Sequence, residues 1–278
     1  MKKLLILWFL SAASLFCVFG ENLEDSLRAR AKENMVRAFH FHRQSAEQGN
    51  AAGQFLLGWC YYYGDGVEQD LKQAAYWWRK SAEQGNAAAR FRLGACYEFG
   101  EGVEQDLKQA VYWYRKAAEQ GHAQAQVALG ACYNSGKGLE KDRKQAVYWV
   151  RKAVKQGNAA AQFALGVCYY YGEGVEQDRK QAVYWYRKAA EQGNAAAQYN
   201  LGLCYYYGAD VEQDQGQAVY WWRKSAEQGL SQAQFVLGDC YRLGAGVEKD
   251  LKQAVYWYRK AAEQGDVKAQ DALTKLNK

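Results

Sequence analysis

The stretch "AAAQFALGVCYYYGEGVEQDRKQAVYWYRKAAEQG", Ala159 to Gly193, decides the fold. Moved along its own chain in steps of 36 residues, it matches again and again. Asn50–Gly85, Asn86–Gly121, His122–Gly157, Asn158–Gly193, Asn194–Gly229 and Leu230–Gly265 align without a gap. A fixed period of this size marks stacked repeats, because one unit is too small to bury its apolar face alone and does so against its neighbours. A half unit, Met35–Gly49, precedes the first copy, and another, Asp266–Lys278, follows the last.

Each copy reads as helix, turn, helix. In the first, helix A spans Ala51–Tyr63, with Gly53, Leu57, Cys60 and Tyr61 on one face at spacings near 3.6. Gly58 sits mid-helix, where glycine costs roughly 1 kcal/mol. It recurs as Gly94, Gly130, Gly166, Gly202 and Gly238. A cost repeated at a fixed place predicts a close approach of helix B. Helix B is expected over Leu71–Gln84, with Asp70 accepting the free N–H groups of its first turn and Gly85 ending it in a left-handed conformation. Its apolar stripe is read as Ala74, Trp77 and Ser81. In the turn, Gly64 and Gly66 supply positive φ, although the fifth copy has Asp210 at the second place. Val67 is expected to tuck beneath the turn.

Composition agrees. The 278 residues contain no proline, which suits unbroken helices, and 22 Tyr with 10 Trp give ample surface to bury. The formal charge is +6, of which Lys2 and Lys3 supply two. The rest is spread along the chain and nearly cancels within each copy, which speaks against nucleic acid. "MKKLLILWFLSAASLFCVFGE" reads as a secretory signal peptide over residues 1–20, cleaved before Glu21, with an uncleaved membrane anchor as the rival reading. The expected organisation is therefore 1–20 signal peptide, 21–49 lead and capping half-repeat, 50–265 six repeats and 266–278 capping helix. At the capping ends, Phe41 takes the Trp77 place, and Asp271, Thr274 and Lys275 make the last face polar.

Ala-Gln, Leu-Gly, Tyr, Gly-x-Gly-Val, Asp, Ala, Trp and Ala-Ala, as they stand in Ala159–Gly193, resemble the Sel1-like repeat family, a relative of the tetratricopeptide repeats. The resemblance covers about Met35–Lys278. It implies an all-α, right-handed superhelical solenoid whose A helices line a concave side, and a role as an interaction scaffold. Cysteine-rich relatives staple each helix pair with a second cysteine per unit, which this chain lacks.

Cys60, Cys96, Cys132, Cys168, Cys204 and Cys240 recur once per copy. Equivalent points on stacked helices lie roughly 8–10 Å apart, while a disulfide needs Cα atoms within about 7 Å. The six are therefore read as reduced, buried thiols. The three histidines, His40, His42 and His122, are read as surface or edge residues, and no nucleophile motif accompanies them. At the place of Asp65 the copies carry Glu101, Lys137, Glu173, Ala209 and Ala245, so a calcium loop is not supported.

The aromatic stripe of helix A is the functional lead. Its predicted partner-binding residues are Phe55, Trp59, Tyr62, Phe91, Glu98, Asn134, Phe163, Tyr170, Tyr199, Tyr206, Asp239 and Arg242. The Phe55 and Tyr63 places are expected to pack between helices, and the Trp59 and Tyr62 places, which vary from copy to copy, to face the groove. The chain is thus expected to be a non-enzymatic, monomeric scaffold, without cofactor or metal, binding a protein or extended peptide. A glycan- or peptidoglycan-binding repeat protein is the alternative. The expected location is periplasmic or secreted, with the membrane involved only if the N-terminal segment stays attached.

Overall fold

The computed structural model describes residues 30–276. The signal-peptide and anchor readings, and Cys17, lie outside the described residues. Within them the chain is all-α, with fourteen helices and no strand. Helix α1 covers residues 30–47. It is followed by α2 (Ala51–Tyr63), α3 (Leu71–Glu83), α4 (Ala87–Phe99), α5 (Leu107–Glu119), α6 (Ala123–Ser135) and α7 (Arg143–Lys155). Then come α8 (Ala159–Tyr171), α9 (Arg179–Glu191), α10 (Ala195–Tyr207), α11 (Gln215–Glu227), α12 (Ser231–Leu243), α13 (Leu251–Glu263) and α14 (Val267–Leu276). The chain divides into two units, residues 1–117 and 118–278. Within each, consecutive helices pack as pairs in chain order.

The caps place the ends as the sequence expects. Asn50 Oδ1 accepts the Gly53 N–H at 2.9 Å, and Asn86, Asn158 and Asn194 do the same for their helices. Asp70 Oδ1 accepts from Lys72 and Gln73 at the start of α3. Helix α3 stops at Glu83, one residue before the expected end, with Gln84 as cap. In the turn, Gly64 ends α2 in a left-handed conformation at φ 78°. Gly66 is also left-handed, and a side chain there would press on the Met35 carbonyl. Asp210 keeps the same conformation at φ 59° without being glycine. Val67 is half-buried against Phe39, Leu57 and Cys60.

The mid-helix glycine has the reason expected of it. A Cβ on Gly58 would lie 2.4 Å from the Trp78 ring. On Gly94 it would meet Tyr114, on Gly166 Tyr186, on Gly202 Trp222 and on Gly238 Tyr258. This corrects the stripe of helix B. The wholly buried aromatic is Trp78, not Trp77, and it packs with Ala74, Ala75 and Cys96. Trp77 is half-buried and its indole N–H has no hydrogen-bond partner. In contrast, Trp78 Nε1 donates to the Phe55 carbonyl at 3.1 Å, and Trp222 Nε1 to that of Tyr199. In the capping half unit the Trp78 place is held by His42, which is half-buried. Phe39, at the Ala75 place, is buried, while Phe41, at the Trp77 place, is exposed, and no described helix precedes its own.

A buried glutamine ties the copies together. Gln54 Nε2 donates to the Ala46 carbonyl of α1, and its Oε1 accepts from Gln84 Nε2 at 2.7 Å. One side chain thereby satisfies polar groups of three helices, which a buried amide requires. Gln126, Gln198 and Gln234 repeat both bonds in the second unit. In the second copy Arg90 replaces it, and its Nε donates to the Ala82 carbonyl.

Candidate functional site

All twelve residues singled out from the sequence are half-buried on helix A. The open aromatic place is the neighbouring one. Tyr63 and Phe99 in the first unit are 63% and 66% exposed, and Tyr171 and Tyr207 in the second are 67% and 71% exposed. The expected assignment is thus reversed at Tyr63, which faces solvent rather than packing between helices. The cause is position. It is the last residue of helix A, beyond the reach of the next helix, whereas Tyr62 leans on Trp78 at a ring distance of 5.5 Å.

In the first unit these rings form a cage. Trp59 stacks on Tyr63 with centroids 5.2 Å apart and planes 9° from parallel. It meets Phe55, Tyr62 and Trp78 edge to face. Arg92, reaching over from α4, places its guanidinium carbon 4.2 Å from the Trp59 centroid, 5.3 Å from Tyr62 and 5.1 Å from Trp78. A cation over such faces is drawn to the ring quadrupole. Its Nε is buried without a hydrogen-bond partner, so the rings are what hold that part of the group.

The acids expected to mark a groove are engaged within their own repeats. Tyr114 donates to Glu98 at 2.6 Å, and Phe91 tilts on the Tyr114 ring. In the sixth copy Arg242 grips Asp239 at 2.7 Å, and Tyr258 donates to the same carboxylate at 2.8 Å. Burial and then the Asp239 bond push the Tyr258 phenol up to about 12. Phe235, Asp239 and Arg242 face Lys268, Asp271 and Lys275 of α14 across a cleft of about 450 Å³. Phe163 and Tyr206 tilt on the buried Tyr186 and Trp222.

In the second unit Tyr170 opens onto a cavity of about 180 Å³ between α8 and α10. Tyr171, Tyr186, Asn200, Leu203 and Tyr207 line it, with Cys204 and Ala209 completing the wall. Burial pushes the Tyr186 phenol up, and a hydrogen bond with Asn200 works the other way. The place shared by Arg92 and Asn200 escaped the sequence reading. Its signal was present: Leu56, Arg92, Ala128, Ala164, Asn200 and Val236 vary as much as the Tyr62 place does.

Other groups offer little chemistry. None of the six repeat cysteines is in a disulfide; five are buried and Cys168 is half-buried, and burial pushes the thiols of Cys96 and Cys240 up to about 12. Such thiols are poor nucleophiles at neutral pH. Among the described residues no group of three or more His, Cys, Asp or Glu is placed to hold a metal. No described helix is long and apolar enough to cross a membrane. His122 is a cap rather than an edge residue: its Nδ1 accepts the Ala125 N–H at 3.2 Å.

The Sel1 repeat model matches residues 25–50, 51–86, 87–122, 123–158, 159–194, 195–230 and 231–266. The chain belongs to the Sel1 repeat family. Sel1 repeats are a protein–protein interaction type, and scaffolds built from them are generally non-enzymatic. Among solved structures, the chain is similar to a protective antigen present in uropathogenic Escherichia coli strains, described as displaying an SLR fold. Identity is 42% over 84% of this chain and 50% of the antigen, with a TM-score of 0.74. The chain thus spans half the antigen's length. It is also similar to a Sel1 repeat protein from Oxalobacter formigenes, at 35% identity over 85% of this chain and 68% of that one, with a TM-score of 0.79. An immunity protein from Pseudomonas aeruginosa shares the fold at 23% identity over 79% and 82% of the two chains, with a TM-score of 0.54. No curated protein matches the sequence.

Proposed function

We propose that this Sel1 repeat protein is an exported, non-enzymatic scaffold that binds an extended segment of a partner protein along the A helices. The observation that carries this reading is the row of exposed rings at one place of successive helices, Tyr63 and Phe99 in one unit and Tyr171 and Tyr207 in the other. Exposed aromatics spaced on a rigid frame are what interface centres are made of. They are hard to explain as solubility devices, because each leaves a large apolar face in water. The half-buried Trp59 and Tyr62 then serve as support for Tyr63 rather than as contacts.

The test is site-specific photocrosslinking in the intact, exported chain. A crosslinker at Tyr207 is expected to capture a defined protein that a crosslinker at Tyr220, exposed on the B helix α11, does not. Capture from both places, or from neither, overturns the reading. Retention on purified peptidoglycan that is lost in Tyr171→Ala and Tyr207→Ala would replace the protein ligand by a glycan.

A further inference from the structure

The cavity between α8 and α10 occupies the same place in its repeats as the ring cage does three copies earlier. Tyr170 stands where Tyr62 does, Tyr186 where Trp78 does and Tyr207 where Phe99 does. Asn200 stands where Arg92 does. In the first unit the Arg92 guanidinium fills this place, seated on three rings at 4.2, 5.1 and 5.3 Å. In the second unit the Asn200 side chain stops short, and about 180 Å³ is left between the rings. Pockets for drug-sized ligands and cofactors run to roughly 300–1,000 Å³, so this one has room for a single side chain.

The chemistry of that side chain follows from the walls. Four tyrosines and an amide line the space, and no cation is among the lining residues. A cation in touch with these rings, Arg179, lies 5.7 Å over Tyr170 and is not part of the lining. A carboxylate stands at hand, since Asp210 is exposed, follows Ala209 directly and acts electrostatically on Cys204. One ring of the earlier cage is missing, because Val167 replaces Trp59. An aromatic place with nearby negative charge selects a planar cation that stacks, and guanidinium stacks better than ammonium.

We propose that this cavity receives an arginine side chain of the partner segment, its guanidinium held against Tyr170 and Tyr186 as Arg92 is held against Tyr62 and Trp78 in the first unit, with Tyr171 and Tyr207 closing the walls. The inference rests on the interaction reading above and gives it a residue type. The intramolecular arginine is the template for the intermolecular one, and Asn200 in place of Arg92, with Val167 in place of Trp59, leaves the vacancy.

The test uses the full chain with ring-labelled tyrosine and follows NMR shifts on titration with acetyl-Gly-Arg-Gly-amide. Saturable shifts at Tyr170, Tyr186 and Tyr207 are expected. The citrulline peptide, equal in shape but uncharged, is expected to bind about tenfold more weakly. Asn200→Arg should fill the place in cis and abolish the response. If that variant does not fold, Leu203→Trp is the substitute, since it fills the same space with an apolar group. Arg92→Asn should open a second site, seen as new shifts at Tyr62. Equal binding of the two peptides, no saturable response, or an unchanged response in the filled variant overturns the proposal. Continued crosslinking from Tyr207 in the filled variant would leave the interaction reading standing and remove only the arginine. Arginine binding without any captured protein would do the reverse.

Discussion

The cage around Arg92 and the cavity beside Asn200 use one frame for opposite ends. In both, a glycine in helix A admits a large ring from helix B, Trp78 against Gly58 and Tyr186 against Gly166. Both carry a tyrosine packed in the same cluster as that ring and an exposed aromatic after it. They differ in the ring that Val167 lacks where Trp59 stands, and in what the following helix sends across. An arginine there completes the packing, and an asparagine leaves room. The frame is therefore set by positions that repeat, and the difference by positions that vary.

The largest expected effect separates the two places by their filling. Trp78→Ala removes a fully buried ring that also supports Arg92, and should cost about 3–5 kcal/mol. Tyr186→Ala should cost about 1 kcal/mol less, because its ring already borders a cavity and loses fewer contacts. Urea unfolding of the two variants, with amide exchange in α2–α4 and α8–α10, checks this. Equal losses would mean that the cavity is closed in solution.

Next in size is the sixth copy, where the frame carries charge. Asp239→Ala leaves Arg242 and Tyr258 without their shared acceptor and should cost about 2 kcal/mol. The same contact gives an alkaline signature. Tyr258 titrates higher folded, at about 12, than its ordinary value of about 10. Its neutral form is thus favoured by folding, so this stability is full below pH about 10 and is lost as pH rises through about 12. Tyr258→Phe should flatten that loss in thermal unfolding scans.

Arg92→Ala should cost about 1–2 kcal/mol, the worth of a partly desolvated cation over rings. Asn200→Ala should cost less than about 1 kcal/mol, the usual worth of one hydrogen bond. If the two losses match in urea, the rings around Arg92 do not hold it. The smallest effect concerns the caps. His122 accepts an N–H where four other copies use Asn, and burial lowers its pKa. The cap is therefore present above the ordinary histidine value of about 6.5 and is lost as pH falls through the lower folded value. His122→Asn should abolish an acid loss of about 0.5–1 kcal/mol, read by thermal unfolding at pH 7 and pH 5.

Much of this frame was legible because it repeats. Asp70, Gly64 and Gly58 each break a local preference at the same place in copy after copy, and such repetition separates a rule from an accident. What misled was phase. Trp77 and Trp78 are adjacent and alike in type, and the stripe through Ala74 and Ser81 passes between them. Burial is decided by the helix opposite, which the sequence of one helix does not contain. The exposed place went astray for a related reason. Tyr62 and Tyr63 are both aromatic, and only the end of helix A leaves the second in water. The cavity was not legible at all, because it depends on what one helix fails to reach in the next.

The buried glutamine has a consequence for how such a chain changes length. Each tie runs only to the helix before it and the helix after it, and the residues at both ends recur every 36 positions. An in-frame duplication of one unit therefore recreates every seam it cuts. Copy number can drift while each junction stays intact, and a new arginine or asparagine at the varying place then decides whether the added copy is closed or open.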